Sequence, residues 1–426
     1  MGKLTAAEDC FSPPPAGFID SQVPLRVLSL STVFPNASEP GLGLFVEARL
    51  RSLAERVDLQ VVAPLPMVDY SNPHRKWLRF GRNPGAGLPD PLRVSYPRWI
   101  YPPKGTPLNV LCLFARLLPV FLLLRRRWRF DLIDAHFGYP EGVVAALMAR
   151  VLAVPFAVTL RGSEIPFARY GLRRRLMKWA LPQASLIVTV SEDLRRFAIE
   201  QGVSPDRVRK IPNGVDSSVF FPRPRAACRA RLGITAHRKV ILSAGELIAA
   251  KGHHHVIQAL KELLDKGIDA EVVVAGGTAR GGPPFEDEIR RMIHQLRLAD
   301  RVRMLGWVPR ETLAEAMCAA DLFCLASHTE GWPNVVHEAL SCGTPVVATR
   351  VGAVLEMIPA DSLGLTVPVQ DQPALEAALL QALKRHWDYE AIAAWGRSRG
   401  WDHVGDEVLT AFQHILPSSK RVRELS

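Results

Sequence analysis

Short apolar runs alternate with amphipathic segments along most of this chain, and the alternation runs through twice. Leu25–Leu30, Leu132–His136, Pro155–Leu160 and Leu186–Ser191 are five or six residues each. Runs of that length, rich in Val, Ile and Leu, read as buried strands. Between them lie helical patterns such as Leu44–Arg56 and Gly142–Leu152. Strands that alternate with helices predict a parallel sheet covered on both faces. The pattern breaks at Ile211-Pro212-Asn213-Gly214-Val215-Asp216, where Asn-Gly beside Pro signals a turn. It restarts with Val240–Gly245, His254–Asp265 and Ala270–Gly276, and Val302–Leu305 and Pro345–Thr349 follow. The 426 residues suit two or three domains at roughly 150 residues each. The expected fold class is therefore α/β, two doubly wound halves, one over 23–212 and one over 213–390. The segment 391–426 is expected to send a helix, about Ala391–Ile415, back across the first half. Residues 1–22 are polar, proline-bearing and without an apolar h-region, so they are expected to form a disordered tail rather than a secretion signal.

In doubly wound sheets ligands bind at the carboxyl ends of strands, and with two halves the cleft between them is the default site. One stretch sits where such a site should be. Asp321–Ser327 reads as a strand and Val335–Leu340 as the start of a helix, with Glu330-Gly331-Trp332-Pro333-Asn334 between them. A helix N-terminus placed there attracts anions, phosphates above all. Glu330 and Glu338, one on each side, could hold hydroxyl groups. Gly41-Leu42-Gly43 follows the first strand and allows either close approach to a phosphate or a plain tight turn. Lys251 lies in the strand-to-helix loop after Val240–Gly245, where an ammonium can meet a diphosphate or simply face solvent. Neither the full G-x-G-x-x-G nor a P-loop occurs.

These motifs in this order resemble those of the retaining glycosyltransferases of family four, which have the GT-B fold. The series is Gly41-x-Gly43, Asp134-Ala135-His136, Thr159-x-Arg161-Gly162-Ser163-Glu164, Pro212–Asp216, Gly245-x5-Lys251-Gly252, Gly276-Gly277, Gly306-Trp307-Val308 and Glu330-x7-Glu338. It covers the chain from about residue 25 to 415. The resemblance implies two Rossmann-like domains facing each other across a cleft. It implies that a nucleotide-diphosphate sugar is the donor and that its sugar passes to a hydroxyl with retained configuration. It assigns Glu338 to the ribose, Glu330 to the donor sugar near its reacting face, and His136 to the same sugar from the first domain. Lys251 neutralises the departing diphosphate, and Arg161 and Gly245 belong to the donor site. Backbone N–H groups of Asn334, Val335 and Val336 take the distal phosphate, Gly43 lets the first loop close, and Trp307 and Val308 line the base. No metal and no cofactor is implied, because lysine and a helix N-terminus stand in for a cation. Rival readings are a GT-B epimerase or hydrolase and a non-catalytic nucleotide-sugar or glycan-binding subunit.

Two features sit awkwardly with the resemblance. Glu246 stands where the family commonly has arginine. Either it turns from the phosphates, or Arg161 or another base offsets it, or the donor is held weakly. His253-His254-His255 invites a metal reading. Successive helical residues point in different directions, so no shared ion is expected.

Charge sharpens the choice of partner. The net charge of +11 is concentrated between residues 101 and 180, with 13 Lys/Arg against 4 Asp/Glu. Arg125-Arg126-Arg127-Trp128-Arg129 and Arg173-Arg174-Arg175-Leu176-Met177-Lys178-Trp179 interleave basic and apolar side chains. That pattern suits an anionic membrane surface or a solvated helix face better than nucleic acid. The apolar stretch Leu108–Leu124 contains Arg116 and Pro119 and is short for a membrane span, so a buried or interfacial helix is expected. Six scattered cysteines without a C-x-x-C pair suit a reducing compartment. The expected setting is cytoplasmic, peripheral at the inner membrane surface. The expected acceptor is a glycan or a lipid-linked polysaccharide intermediate.

Overall fold

The computed structural model describes residues 24–68, 92–102, 106–277 and 285–416. The expected tail over 1–22 lies outside the described residues, as do 278–284 of the glycine-rich loop that starts at Gly276.

Both halves are parallel sheets. The first holds β1 (Arg26–Leu30), β2 (Asp58–Val62), β3 (Arg93–Ser95), β4 (Leu132–His136), β5 (Phe156–Leu160), β6 (Leu186–Thr189) and β7 (Val208–Lys210). Their order is β3-β2-β1-β4-β5-β6-β7. The second holds β8 (Lys239–Ala244), β9 (Ala270–Ala275), β10 (Val302–Gly306), β11 (Leu322–Leu325), β12 (Val346–Thr349) and β13 (Gly364–Val367). Their order is β10-β9-β8-β11-β12-β13. Every residue of β4, β5, β9 and β11 is buried. This is what strands covered on both faces require, and it explains their apolar content, with Asp134, His136 and Glu271 as buried polar exceptions. The strands that sequence reading passed over, β3, β7 and β13, are three or four residues long and lie at sheet edges.

Eight helices matter for the site and its support. They are α1 (Leu44–Ala54), α2 (Thr106–Trp128), α3 (Val143–Leu152), α4 (Gly171–Ala180), α5 (His253–Asp265), α6 (Asn334–Ser341), α7 (Tyr389–Arg397) and α8 (Trp401–Ile415). By length and mean hydropathy α2 could cross a bilayer. Val110, Leu113, Leu117, Phe121 and Leu124, at spacings of three and four, are instead inserted into the first core. Leu108, Leu111 and Leu122 on its other side are exposed.

The expected helix over Ala391–Ile415 is two helices. Gly400 is extended (φ −83°, ψ 170°) and pairs with Val215 in an isolated bridge, so the helix cannot run through it. α7 stays on the second half, where Gly396 lies against the backbone of Leu340 and Ser341 of α6. α8 lies on the first half: Ser52 of α1 donates to the Trp401 carbonyl at 2.8 Å, and Val404, Val408 and Phe412 join Val46 and Leu50 in one core. The chain thus passes between the halves at two adjacent places, tied by Val215 N–H donating to the Arg399 carbonyl at 3.0 Å.

Candidate active site

A cleft of about 830 Å³ lies between the halves, at the carboxyl ends of β1, β8, β9 and β11. Its first-half wall is the loop after β1. Gly43 closes that loop in the left-handed region (φ 68°), and a side chain there would meet the Val33 carbonyl. Its second-half wall carries Gly245 (φ 150°), Trp307, Val308 and the start of α6. A Cβ on Gly41 would come within 3.2 Å of Trp307 Nε1, so the two walls approach each other there. Trp307 is 62% exposed, unusual for a tryptophan, and presents its ring to the cleft.

At the floor, no side chain caps the N-terminus of α6. Asn334 and Val335 line the cleft, and Glu338 follows one turn on. Val336, expected to serve phosphate with them, is not available. Its N–H donates to the Pro333 carbonyl at 2.9 Å and its side chain is buried in the second core. Burial pushes the Glu338 carboxyl up to about 7. Arg310 opposes that shift and Asp216 adds to it, and these two form an ion pair at 3.1 Å.

Lys251 and Glu330 meet beside this floor. Lys251 Nζ lies 2.6 Å from Glu330 Oε1, and the same oxygen accepts from Ser327 Oγ at 2.8 Å. Gly252, left-handed and packed on Ala326, brings the loop of Lys251 onto the loop of Glu330. The ammonium is thus paired with a carboxylate at the edge of the second sheet.

His136 and Arg161 are placed differently from expectation. His136 is fully buried at the end of β4, so it does not reach the cleft. Arg161 donates to its Nδ1 at 3.0 Å, and its Nε2 lies 3.2 Å from Asp134 Oδ2. Burial lowers its pKa to about 4, with Asp134 opposing, so the ring is neutral at neutral pH. Arg161 also donates to Asn213 Oδ1 at 3.1 Å, and Asn213 Nδ2 donates to Asn334 Oδ1 at 3.0 Å. A hydrogen-bonded chain therefore runs from the first half's buried His136 to the first residue of α6. Arg49, unsuspected in the sequence, pairs with Asp134 at 3.4 Å and donates to Thr159. A single arginine on an amphipathic helix carries no sequence signal that it is buried.

Glu164 holds the Arg161 loop by accepting from Gly138, Arg161 and Gly162 N–H groups at 2.8–3.2 Å. The loop then touches the second half, where a Cβ on Gly162 would lie 2.6 Å from Gly331 Cα. Glu246 is exposed on the cleft wall, and no ion pair reaches it among the described residues. Arg161, committed to His136 and Asn213, does not offset it. The cleft wall therefore carries a carboxylate that neither turns away nor is paired among the described residues.

Comparisons with known proteins fit this geometry. Residues 225–399 match the family model for glycosyl transferases group 1, and residues 40–219 match that for glycosyltransferase family 4. The putative teichuronic acid biosynthesis glycosyltransferase TuaC of Bacillus subtilis is 27% identical over 412 residues, covering 94% of this chain and 97% of its own. A D-inositol 3-phosphate glycosyltransferase of Frankia alni is 31% identical over 306 residues, covering 67% of this chain and 75% of its own. Among solved structures, Anabaena Alr3699/HepE in complex with UDP superposes with a TM-score of 0.72 at 19% identity, over 92% of this chain and 100% of that one. The same protein in complex with UDP-glucose superposes with a TM-score of 0.67 at 21% identity, over 92% and 98%.

Proposed function

The chain belongs to the group 1, family-four glycosyltransferases, and from that premise we propose that it moves a sugar, with retained configuration and without a metal, from a nucleotide diphosphate to a hydroxyl acceptor. The observation that carries this reading is the uncapped start of α6 facing the Gly43 loop, with Glu338 one turn on and the Lys251–Glu330 pair beside it. A nucleotide sugar has that layout: hydroxyls at both ends and charge between. In the proposed pose Glu338 accepts from the ribose, Trp307 stacks on the base, the N–H groups of Asn334 and Val335 and Lys251 Nζ take the diphosphate, and Glu330 faces the sugar. UDP and UDP-glucose in the structural relative HepE support a nucleoside-diphosphate donor.

The reaction breaks the bond from the sugar C1 to phosphate oxygen and forms one from C1 to the acceptor oxygen on the same face. The acceptor proton passes to the departing phosphate. Lys251 and the α6 N-terminus stabilise the charge that develops on that phosphate, the kind of electrostatic contribution that usually dominates catalysis. His136 acts by holding Arg161, and through Asn213 the position of Asn334, rather than by touching the sugar.

The acceptor is proposed to be membrane-borne. α2 and α4 pack together, and they expose Leu108, Leu111 and Leu122 on one helix and Leu172 and Trp179 on the other. Arg173, Arg174, Arg175 and Lys178 lie on α4. Apolar and basic groups on adjacent helices suit a peripheral contact with an anionic leaflet. Cys112, Cys228, Cys318, Cys324 and Cys342 are free thiols, as the cytoplasmic face would keep them.

Two measurements test the reading. Lys251→Ala and Glu330→Gln should each lower kcat by on the order of 10²–10³, while nucleotide still raises Tm. Unchanged turnover in either variant sinks the catalytic assignment. Proton NMR of the first-formed product should show the donor's own anomeric configuration, and the opposite anomer rules retention out.

A further inference from the structure

We infer that His254, His255 and His328 form a binding site for one divalent cation of the zinc class. The site is separate from the cleft, since none of the three lines it. His255 Nε2 and His328 Nε2 face each other at 3.2 Å. A tetrahedral ion with Zn–N bonds of about 2.0–2.1 Å places its nitrogens about 3.3–3.4 Å apart, so this pair already stands at ligand spacing. The ligand atoms of all three histidines lie within 4.8 Å of one another. His254 needs a side-chain shift of roughly an ångström and a half to complete three ligands at that geometry.

Two independent features point to an ion rather than to a chance contact. The first is the tautomer of His255. Its Nδ1 lies 3.0 Å from Gln372 Oε1. The Gln372 amide nitrogen is committed to the His255 carbonyl at 3.1 Å and to Glu376 Oε1 at 2.9 Å, so the amide oxygen faces the ring. An oxygen there accepts, so Nδ1 carries the proton and Nε2 presents its lone pair towards His328. An outer hydrogen bond that fixes a histidine in this way is the usual support of a metal ligand. The second is His254, whose Nδ1 is buried without a hydrogen-bond partner while its ring lies 4.0 Å from that of His255. The expectation that consecutive histidines diverge holds for His253 alone, which turns inward to Ser243 Oγ at 2.9 Å. The positive end of α5 opposes a cation here, and Glu376, behind Gln372, offsets it. An ion would tie the loop of Lys251 to the loop of Glu330, which His328 N–H already joins by donating to the Ala250 carbonyl at 2.8 Å.

The test uses the full chain stripped by a chelator and titrated with zinc, then with cobalt as a spectroscopic probe and magnesium as a control. Zinc should bind at one ion per chain and magnesium should not. Cobalt should give the intense visible bands of a four-coordinate site. His255→Ala and His328→Ala should each lose that spectrum. Gln372→Ala keeps all three ligands and should weaken zinc by roughly 10–100-fold. Melting in chelator identifies any variant that fails to fold, and the Gln372 variant then carries the test. Zinc binding by the unaltered chain no tighter than by the His255→Ala/His328→Ala chain, or a six-coordinate cobalt spectrum unchanged by His328→Ala, overturns the proposal.

Discussion

Glu338 shows how far one residue's role depends on what surrounds it. The sequence marks it as a helical glutamate in the right motif, but its titration near neutral pH comes from burial, with Arg310 opposing and Asp216 adding to the shift. Hydroxyl groups of a ribose donate best to the ionised carboxylate, so donor KM should fall as pH rises through about 7. In Glu338→Gln that dependence should disappear while KM stays high. A pH-independent KM in the unaltered enzyme counts against the ribose assignment. Stability runs the other way. A carboxyl raised from its ordinary range to about 7 favours the folded state in its protonated form. That contribution is full below the ordinary range and is lost as pH rises through 7. Glu338→Gln should therefore flatten the fall of Tm between pH 5 and 8, as thermal melts across that window would show. Glu246, exposed on the same cleft wall, repels a diphosphate, and Glu246→Arg should lower donor KM with little change in Tm.

At the scale of elements, the cleft is built from loops that glycine alone can shape. Gly43 was visible in the sequence as half of a G-x-G, a weak signal that a tight turn satisfies equally well. The structure supplies the reason for glycine: a left-handed backbone with the Val33 carbonyl in the way of any Cβ. Gly43→Ala should cost about 1–3 kcal/mol in denaturant unfolding and raise donor KM by displacing the loop. An unaltered KM would mean that the loop does not touch the donor. The division of the final helix was not legible, because Gly400 inside a helical pattern is tolerated as often as it breaks one. Its extended conformation is set by pairing with Val215, which lies 185 residues earlier in sequence. Gly405 of α8 rests on Ser52 of α1 and on Arg56 just past its end. Gly405→Val should lift that contact and lower stability by about 1–3 kcal/mol, read as a lower Tm.

Across the whole molecule, contacts among the described residues join the halves beside the cleft. Gly162 and Gly331 pack backbone on backbone, and Asn213 bridges Arg161 and Asn334. Asn213→Ala leaves the buried Arg161 guanidinium short of a partner, at a cost of about 1–3 kcal/mol. It also frees Asn334, so kcat should fall while binding of nucleotide alone persists. Equal losses in both would place the damage in the second half itself. The sequence by itself determined the two doubly wound sheets, the strand-to-loop positions of Gly43, Gly245, Lys251 and Glu330, and the helical position of Glu338. Hydrophobic period and turn residues are local signals, and these features are local. Only the tertiary structure decided that Lys251 pairs with Glu330, that His136 and Arg161 face inward, that Val336 belongs to the core, and that His254 and His255 meet His328. Each of those depends on which distant backbone approaches a side chain, how much water is removed and which partner saturates it. Such pairings span tens to hundreds of residues and leave no periodic trace along the chain.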